Sequence, residues 1–309
     1  MKKIIAVLGP TASGKSSLAV KLAKNFQGEI INCDSRAFYK EMAIGTAKPI
    51  ADDCKIPKDL NQFKKLGPII SNQVVHWLID FESIKNPISA GEYQKLAQNT
   101  ASLVSKRGKI PFLVGGSGLY ARVFLENYQI PKIAPDLKLR NKLEKLSTKK
   151  LAQKLKILSL PLFKKIDLKN RRRLIRSIEI LQKSNQKFFK SDSPNFAYLK
   201  LGIKIDSQKL NEIINQRTFK MIENGWIQEV EKLHKKNFHK TQIFKSTIGY
   251  PEILAYLKNK ISKKEMIRQI QIKTRQFAKR QRTWFRKEKN LIWIENYDQA
   301  KEKIKNFLN

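Results

Sequence analysis

Cysteine is nearly missing from these 309 residues: Cys33 and Cys54 are the only two. They form no CxxC pair, and neither stands at zinc-ligand spacing from His76, His234 or His239. No disulfide framework or structural metal is expected, and the setting implied is a reducing cytoplasm. The three histidines show no spacing to a nucleophile or to one another that would build a triad, so each is expected to be structural. Long apolar runs are missing too. None approaches the roughly 18 residues a membrane-spanning helix needs, and the apolar start "IIAVL" stops at Gly9 with no small-residue cleavage site, so no leader is expected. Acidic residues are scarce: 26 Asp and Glu stand against 63 Lys and Arg, for a net charge of +37. Such an excess points to a polyanionic partner, with a coding bias toward Lys, Asn and Ile as the competing source. Its distribution is uneven. Residues 1–130 carry 18 basic and 10 acidic side chains, net +8, and the remainder carries 45 and 16, net +29.

What is present begins at once. The β-branched run "KIIAVL" leads into Gly9, Pro10, Thr11, Ala12, Ser13, Gly14, Lys15 and Ser16, a match to GxxxxGK[ST], and "SSLAVKLAKNF" continues with Leu18, Leu22 and Phe26 on one helical face. A strand, glycine loop and helix in this order cradle phosphates: backbone N–H groups, the helix N-terminus and Lys15 converge on one oxyanion, and the Ser16 hydroxyl is placed for Mg²⁺. Such loops usually hold ATP or GTP, yet the pattern itself specifies only a diphosphate. "GEIINCDS" reads as a second strand ending on Asp34 and Ser35, "KIPFLVGGSGLY" as a third broken at Gly115 and Gly116, and "AYLKLGIKID" as a return strand. The fold expected is α/β, a P-loop NTPase-like parallel sheet flanked by helices, with a helical insertion domain. In such sheets ligands gather at the carboxyl ends of strands, so the loop, Asp34 and Ser117 should meet in one pocket. A kinase would end a further strand in a metal-holding Asp; here "KIPFLVGG" ends in glycines. From the residues alone, Asp34 can hold Mg²⁺ through water or act as a base on a bound acceptor.

From about Glu126 the chain turns Lys-rich and Leu-rich, punctuated by Pro131, Pro135 and Pro161. We divide it into a catalytic core of 1–125 and 191–309 and a basic helical insertion of 126–190. "KNRRRLIRSIEIL" clusters Arg171, Arg172, Arg173 and Arg176 within two turns. "KLNEIINQRTFKMIENGWIQEVEKL" reads as one long amphipathic helix, and "KKEMIRQIQIKTRQFAKRQRTWFRK" as the last helical segment. On that segment Arg275, Lys279, Arg282 and Arg286 fall at i, i+4, i+7 and i+11, a stripe suited to a phosphate backbone, while Phe277 and Trp284 lie on another face and are expected to pack in the core.

Together "GPTASGKSS", "DS" before "YKEMAIGTAKP", "VVHWLID", "FLVGGSGLY", "RRLIRSIEI", "IGYPE" and "TRQFAKRQRTWF", in this order, resemble the bacterial tRNA dimethylallyltransferases from Ile4 to about Arg286. The resemblance implies transfer of a five-carbon allyl group from dimethylallyl diphosphate to N6 of the adenosine 3′ of the anticodon. It implies Gly9 to Ser16 as the diphosphate site with Mg²⁺ at Ser16, Asp34 as general base and Arg217 as a catalytic arginine. It places Asp34, Ser35, Arg36, Ala37, Ser117, Arg140, Arg172, Arg173 and Arg176 against the tRNA anticodon stem-loop, beside the stripe of Arg275, Lys279 and Arg282. A cytoplasmic monomer with no membrane contact is expected. Ala37 stands where the family often has glutamine, Ser117 where threonine is common, and Ile213 where arginine often stands. Two other classes share parts of the pattern: a small-molecule or nucleotide kinase, and a non-catalytic RNA-binding protein keeping the loop as a relic.

Overall fold

The computed structural model describes residues 2–53, 58–131, 133–183 and 193–309; Cys54 lies outside them. The chain divides into two units, Met1–Asn127 with Ser193–Asn309, and Tyr128–Asp192.

Seven strands form the sheet of the first unit: β1 (Lys3–Leu8), β2 (Gly28–Asn32), β3 (Ile69–Ser71), β4 (Val74–Trp77), β5 (Ile110–Gly115), β6 (Ala197–Ile203) and β7 (Leu291–Ile294). Their order is β3-β4-β2-β5-β1-β6-β7, and every neighbouring pair is parallel except β3 with β4. Helices α1 (Lys15–Asn25), α2 (Lys58–Asn61), α3 (Ala90–Lys106) and α4 (Gly118–Leu125) belong to the first half of this unit. The second unit holds α5 (Leu137–Glu144), α6 (Thr148–Leu158), α7 (Leu160–Lys165) and α8 (Arg171–Lys183). The first unit resumes with α9 (Ser207–Glu223), α10 (Trp226–Lys235), α11 (Gln242–Ser246), α12 (Tyr250–Leu257), α13 (Lys263–Arg286) and α14 (Tyr297–Leu308).

After Lys3, strand β1 is apolar from Ile4 to Leu8 because both its faces are covered. Ile4, Ala6 and Leu8 join a core with Tyr93, Ala97, Phe124, Trp226 and Phe285, while Ile5 and Val7 join Ala19, Leu22, Ala300 and Ile304 on the opposite face. Central placement of β1 between β5 and β6 sets the loop that follows it at the carboxyl ends of three parallel strands. The second unit has its own core of Leu143, Leu151, Leu155, Leu174, Ile175 and Ile178.

Two expectations are corrected. The segment read as one helix from Lys209 is broken: Gly225, at φ 95°, ends α9 and starts α10, because only glycine takes that left-handed conformation at little cost. The last helical segment is also not α13, since "LIWI" adds β7 beside β6 and α14 follows it. In addition "VVHW" forms the second strand of a hairpin whose two-residue loop, Asn72 and Gln73, has positive φ at both positions, the signature of a type I′ turn.

Candidate active site

The phosphate loop turns on Ala12 at φ 63° and Gly14 at φ 80°, left-handed positions of the kind that fold a backbone into an anion-binding concavity before α1 begins. A Cβ on Gly9 would meet Ser13 Oγ at 2.9 Å, so glycine there keeps the loop tight. Two features mark the loop as built for an anion. Ser13 Oγ is buried with no hydrogen-bond partner, an orphaned donor of the kind that waits for a ligand oxygen. Lys15 Nζ donates to the single backbone oxygen Pro10 O, at 3.2 Å, and burial drives its pKa down to about 8, with Asp34 opposing and Arg217 reinforcing the drop.

Across the strand ends, Asn32 orients the acid. Its Oδ1 accepts from Asp34 N at 2.9 Å and its Nδ2 donates to Asp34 O at 3.2 Å, while Asp34 Oδ1 accepts from Arg36 N at 3.1 Å. Ser35 N donates to the Ser117 hydroxyl at 3.2 Å and Ser117 N to Cys33 O at 3.2 Å, joining the β2 and β5 turns. No acidic side chain can occupy the end of β5: a Cβ on Gly115 would stand 2.1 Å from Cys33 O. Arg217, on α9, reaches the loop and donates to Thr11 Oγ1 at 3.2 Å. Its own pKa is pushed below the ordinary arginine value by burial, with Asp34 opposing.

These elements surround a cavity of about 500 Å³ whose wall includes Thr11, Ala12, Asp34, Ser35, Arg36, Ser117 and Arg217. Thr11 and Ala12 of the loop, Asp34 and Ser117 therefore share one pocket, whereas Ser13, Gly14, Lys15 and Ser16 do not line it and Ser16 lines a separate one with Asn32 and His76. A family model described as IPP transferase matches residues 37–288, and one described as isopentenyl transferase matches residues 2–59. The chain belongs to the IPP transferase family. It is 35% identical to a tRNA dimethylallyltransferase of Acetivibrio thermocellus over 99% of this chain and 96% of the relative. It is 38% identical to one of Prochlorococcus marinus over 99% of this chain and 97% of that one. A solved full-length tRNA isopentenylpyrophosphate transferase of Bacillus halodurans superposes at TM-score 0.69 with 31% identity, covering 100% of this chain and 96% of that one.

Other residues singled out from the family pattern lie elsewhere. Ala37 is buried and does not line the cavity; its N–H donates to Asp34 O and its carbonyl accepts from Asp80 N, each at 3.1 Å. On α13, Arg275 donates to Asn215 Oδ1 at 2.6 Å, Arg282 to the Ser207 hydroxyl, and Lys279 is exposed; none of the three lines the cavity. In the second unit Arg172 and Arg173 are exposed, whereas Arg140 and Arg176 both donate to the fully buried Glu179 carboxylate. His76 is buried on β4 with its pKa lowered to about 4, chiefly by burial. His234 and His239 meet each other, Nδ1 to Nδ1 at 2.9 Å, outside the cavity wall.

The sequence reading missed an entire wall. Thr274, Phe277, Gln281 and Trp284, at i, i+3, i+7 and i+10 of α13, face the cavity together with Arg280. Phe277 is thus a pocket aromatic, not core, whereas Trp284 lines the cavity and also packs against the core as expected, and a glutamine on their face was the available signal. Trp226, Ser246 and Thr247 also line the cavity, and Glu229 fixes the nearby loop by accepting from the N–H groups of Ala43, Ile44 and Gly45. For a metal, the Ser16 hydroxyl is exposed at the start of α1, an oxygen donor of the hard type Mg²⁺ takes. Among the described residues no three His, Cys, Asp or Glu side chains gather to hold a metal unaided. The Ser16 oxygen is compatible with a Mg²⁺, which it could hold only in part.

Proposed function

We propose that the protein transfers the dimethylallyl group of dimethylallyl diphosphate to N6 of the adenosine 3′ of the anticodon in tRNA, releasing diphosphate. The observation that carries this reading is one cavity walled by Thr11 and Ala12 of the phosphate loop, by Asp34 and by Arg217, with no room for a kinase-type acid at the end of β5. Family membership and the names of the relatives, tRNA dimethylallyltransferases of similar length, support the choice of substrates.

The chemistry follows from the residues. Adenine N6 is a weak nucleophile because its lone pair is delocalised into the ring, so a base that takes its proton as the new bond forms lowers the barrier. In our reading Asp34 accepts that proton, the N6–C1 bond forms, and the C1–O bond breaks with its electron pair leaving on diphosphate. The allylic carbon tolerates positive charge, so departure can run ahead of attack. Stabilising the departing anion then becomes the main task, and in our reading Lys15, Arg217 and Ser13 Oγ serve it. Mg²⁺, held through Ser16, would neutralise diphosphate charge. An adenine inside a stacked loop has to turn outward, at a cost of a few kcal/mol, and Phe277 and Trp284 offer ring faces for the extruded base. The surplus of cations on α13 and in the insertion supplies phosphate contacts that offset this cost. By the same reading the protein works as a monomer in the cytoplasm; among the described residues no helix is long and apolar enough to cross a membrane.

The test mixes the protein with radiolabelled dimethylallyl diphosphate, Mg²⁺ and unmodified tRNA, beside an ATP control. Label entering tRNA is the expected result. Phosphate release from ATP with no label in tRNA would replace this reading by a kinase.

A further inference from the structure

Gln281 is buried and lies on the face of α13 that lines the cavity. Its side-chain amide spans two loops: Oε1 accepts from Thr11 N at 2.8 Å, and Nε2 donates to Gly116 O at 2.9 Å. The orientation of the amide is set by its partners, because a flipped amide would oppose oxygen to oxygen and N–H to N–H. Thr11 belongs to the anion cradle, and Gly116 precedes Ser117, whose hydroxyl accepts from Ser35 N beside the base Asp34. One amide therefore ties the diphosphate loop to the β5 turn, which Ser117 joins to the β2 turn that carries the proton acceptor. Gly116 is shaped by this contact: a Cβ there would stand 2.3 Å from Gln281 Nε2 and 3.2 Å from Gly9 O. On either side along the helix, Phe277 and Trp284 line the same cavity as the two loops.

We propose that Gln281 is a positioning residue that couples the two halves of the site, so that RNA seated against α13 tightens the hold of the phosphate loop on diphosphate. The inference rests on the prenyl-transfer reading above. An acceptor base pressing on Phe277 and Trp284 fixes α13, and α13 holds Thr11 and Gly116 in register through this amide. Coupling of this type is reciprocal, so diphosphate tightens RNA by the same factor. The covalent step then has both reactants seated before it begins.

The experiment measures binding of inorganic pyrophosphate with Mg²⁺ to the full chain by calorimetry, alone and with saturating unmodified tRNA. In the unaltered protein tRNA tightens pyrophosphate binding by about fivefold or more, the lower end of ordinary site-to-site coupling. In Gln281→Met, which keeps the length and removes both hydrogen bonds, that ratio falls to about one, and in Gly116→Ala, where the new Cβ displaces Nε2, it falls likewise. A merely structural loss would weaken both ligands and leave their ratio intact, so an unchanged ratio in the variants overturns the inference, as does a ratio of one in the unaltered protein. Should Gln281→Met fail to fold, Gly116→Ala decides. Failure of the unaltered protein to bind either ligand overturns the prenyl-transfer reading, and this inference with it.

Discussion

Arg217 donates to the hydroxyl of Thr11, a residue 206 positions earlier in the chain, at 3.2 Å. The contact joins α9 to the loop after β1. It also sets a guanidinium that Asp34 stabilises in its charged form against the cradle that holds the leaving group. Thr11 is held twice, by Arg217 at its side chain and by Gln281 at its N–H. A loop gripped from two helices loses little freedom when an anion arrives, which is the condition for stabilising charge at the moment it develops.

Asp34→Asn keeps the shape of this turn, because an amide oxygen can still accept from Arg36 N as Asp34 Oδ1 does at 3.1 Å. It removes the proton acceptor. Turnover on tRNA should fall about 10²-fold or more, with tRNA affinity nearly unchanged in a filter-binding titration. Equal turnover would end the general-base role.

Lys15 gives diphosphate binding a pH dependence of definite sign. In the free protein burial holds its pKa near 8; an anion in the cradle favours the ammonium and raises it. The complex therefore binds more protons than the free protein above pH 8, and rising pH weakens binding, approaching tenfold per unit until the pKa of the complex is passed. Affinity for dimethylallyl diphosphate, fully ionised over this range, should be flat below that pH and decline above it. Lys15→Arg, charged throughout, should show no inflection; an inflection that survives assigns the titration to another group.

Much of this site could be read along the chain, and the reason is local. The cradle and Asp34 sit where strands end, and the signals for both, a glycine loop and an acid closing "EIINCD", lie within a few consecutive residues. The α13 wall was not legible in the same way. Cations at 275, 279 and 282 mark one helical face as strongly as Phe277, Gln281 and Trp284 mark another, and periodicity cannot say which face meets the strands. Strand β7 has only four residues, two of them about 40% exposed, and so short an apolar run does not by itself tell a strand from a helical turn.

The arginines of the insertion separate into two pairs with opposite expectations. Burial pushes the pKa of Glu179 up, but hydrogen bonds from Arg140, Arg176 and Asp136 N more than offset this and leave it below the ordinary value. Glu179→Ala leaves two arginines, each about a third exposed, without their buried partner; it should cost about 3 kcal/mol in urea unfolding, the low end for breaking a buried pair. Arg172→Ala with Arg173→Ala, on exposed side chains, should change stability by about 0.5 kcal/mol or less while weakening tRNA. If replacing Arg140 instead weakens tRNA with no loss of stability, its role as a partner of Glu179 is wrong.

The outer stripe of α13 is tested by salt. Lys279 is exposed and Arg282 reaches Ser207 on the neighbouring α9, so neither is tied to a carboxylate by the contacts they make. Each phosphate neutralised adds about 0.7 to 0.9 to the slope of log affinity against log salt. Lys279→Ala together with Arg282→Ala should therefore flatten that slope for tRNA by between about one and two, with little change in the hold on dimethylallyl diphosphate. An unchanged slope would make this face solvated surface and would move the phosphate contacts to Arg280 at the cavity wall and to Arg172 and Arg173.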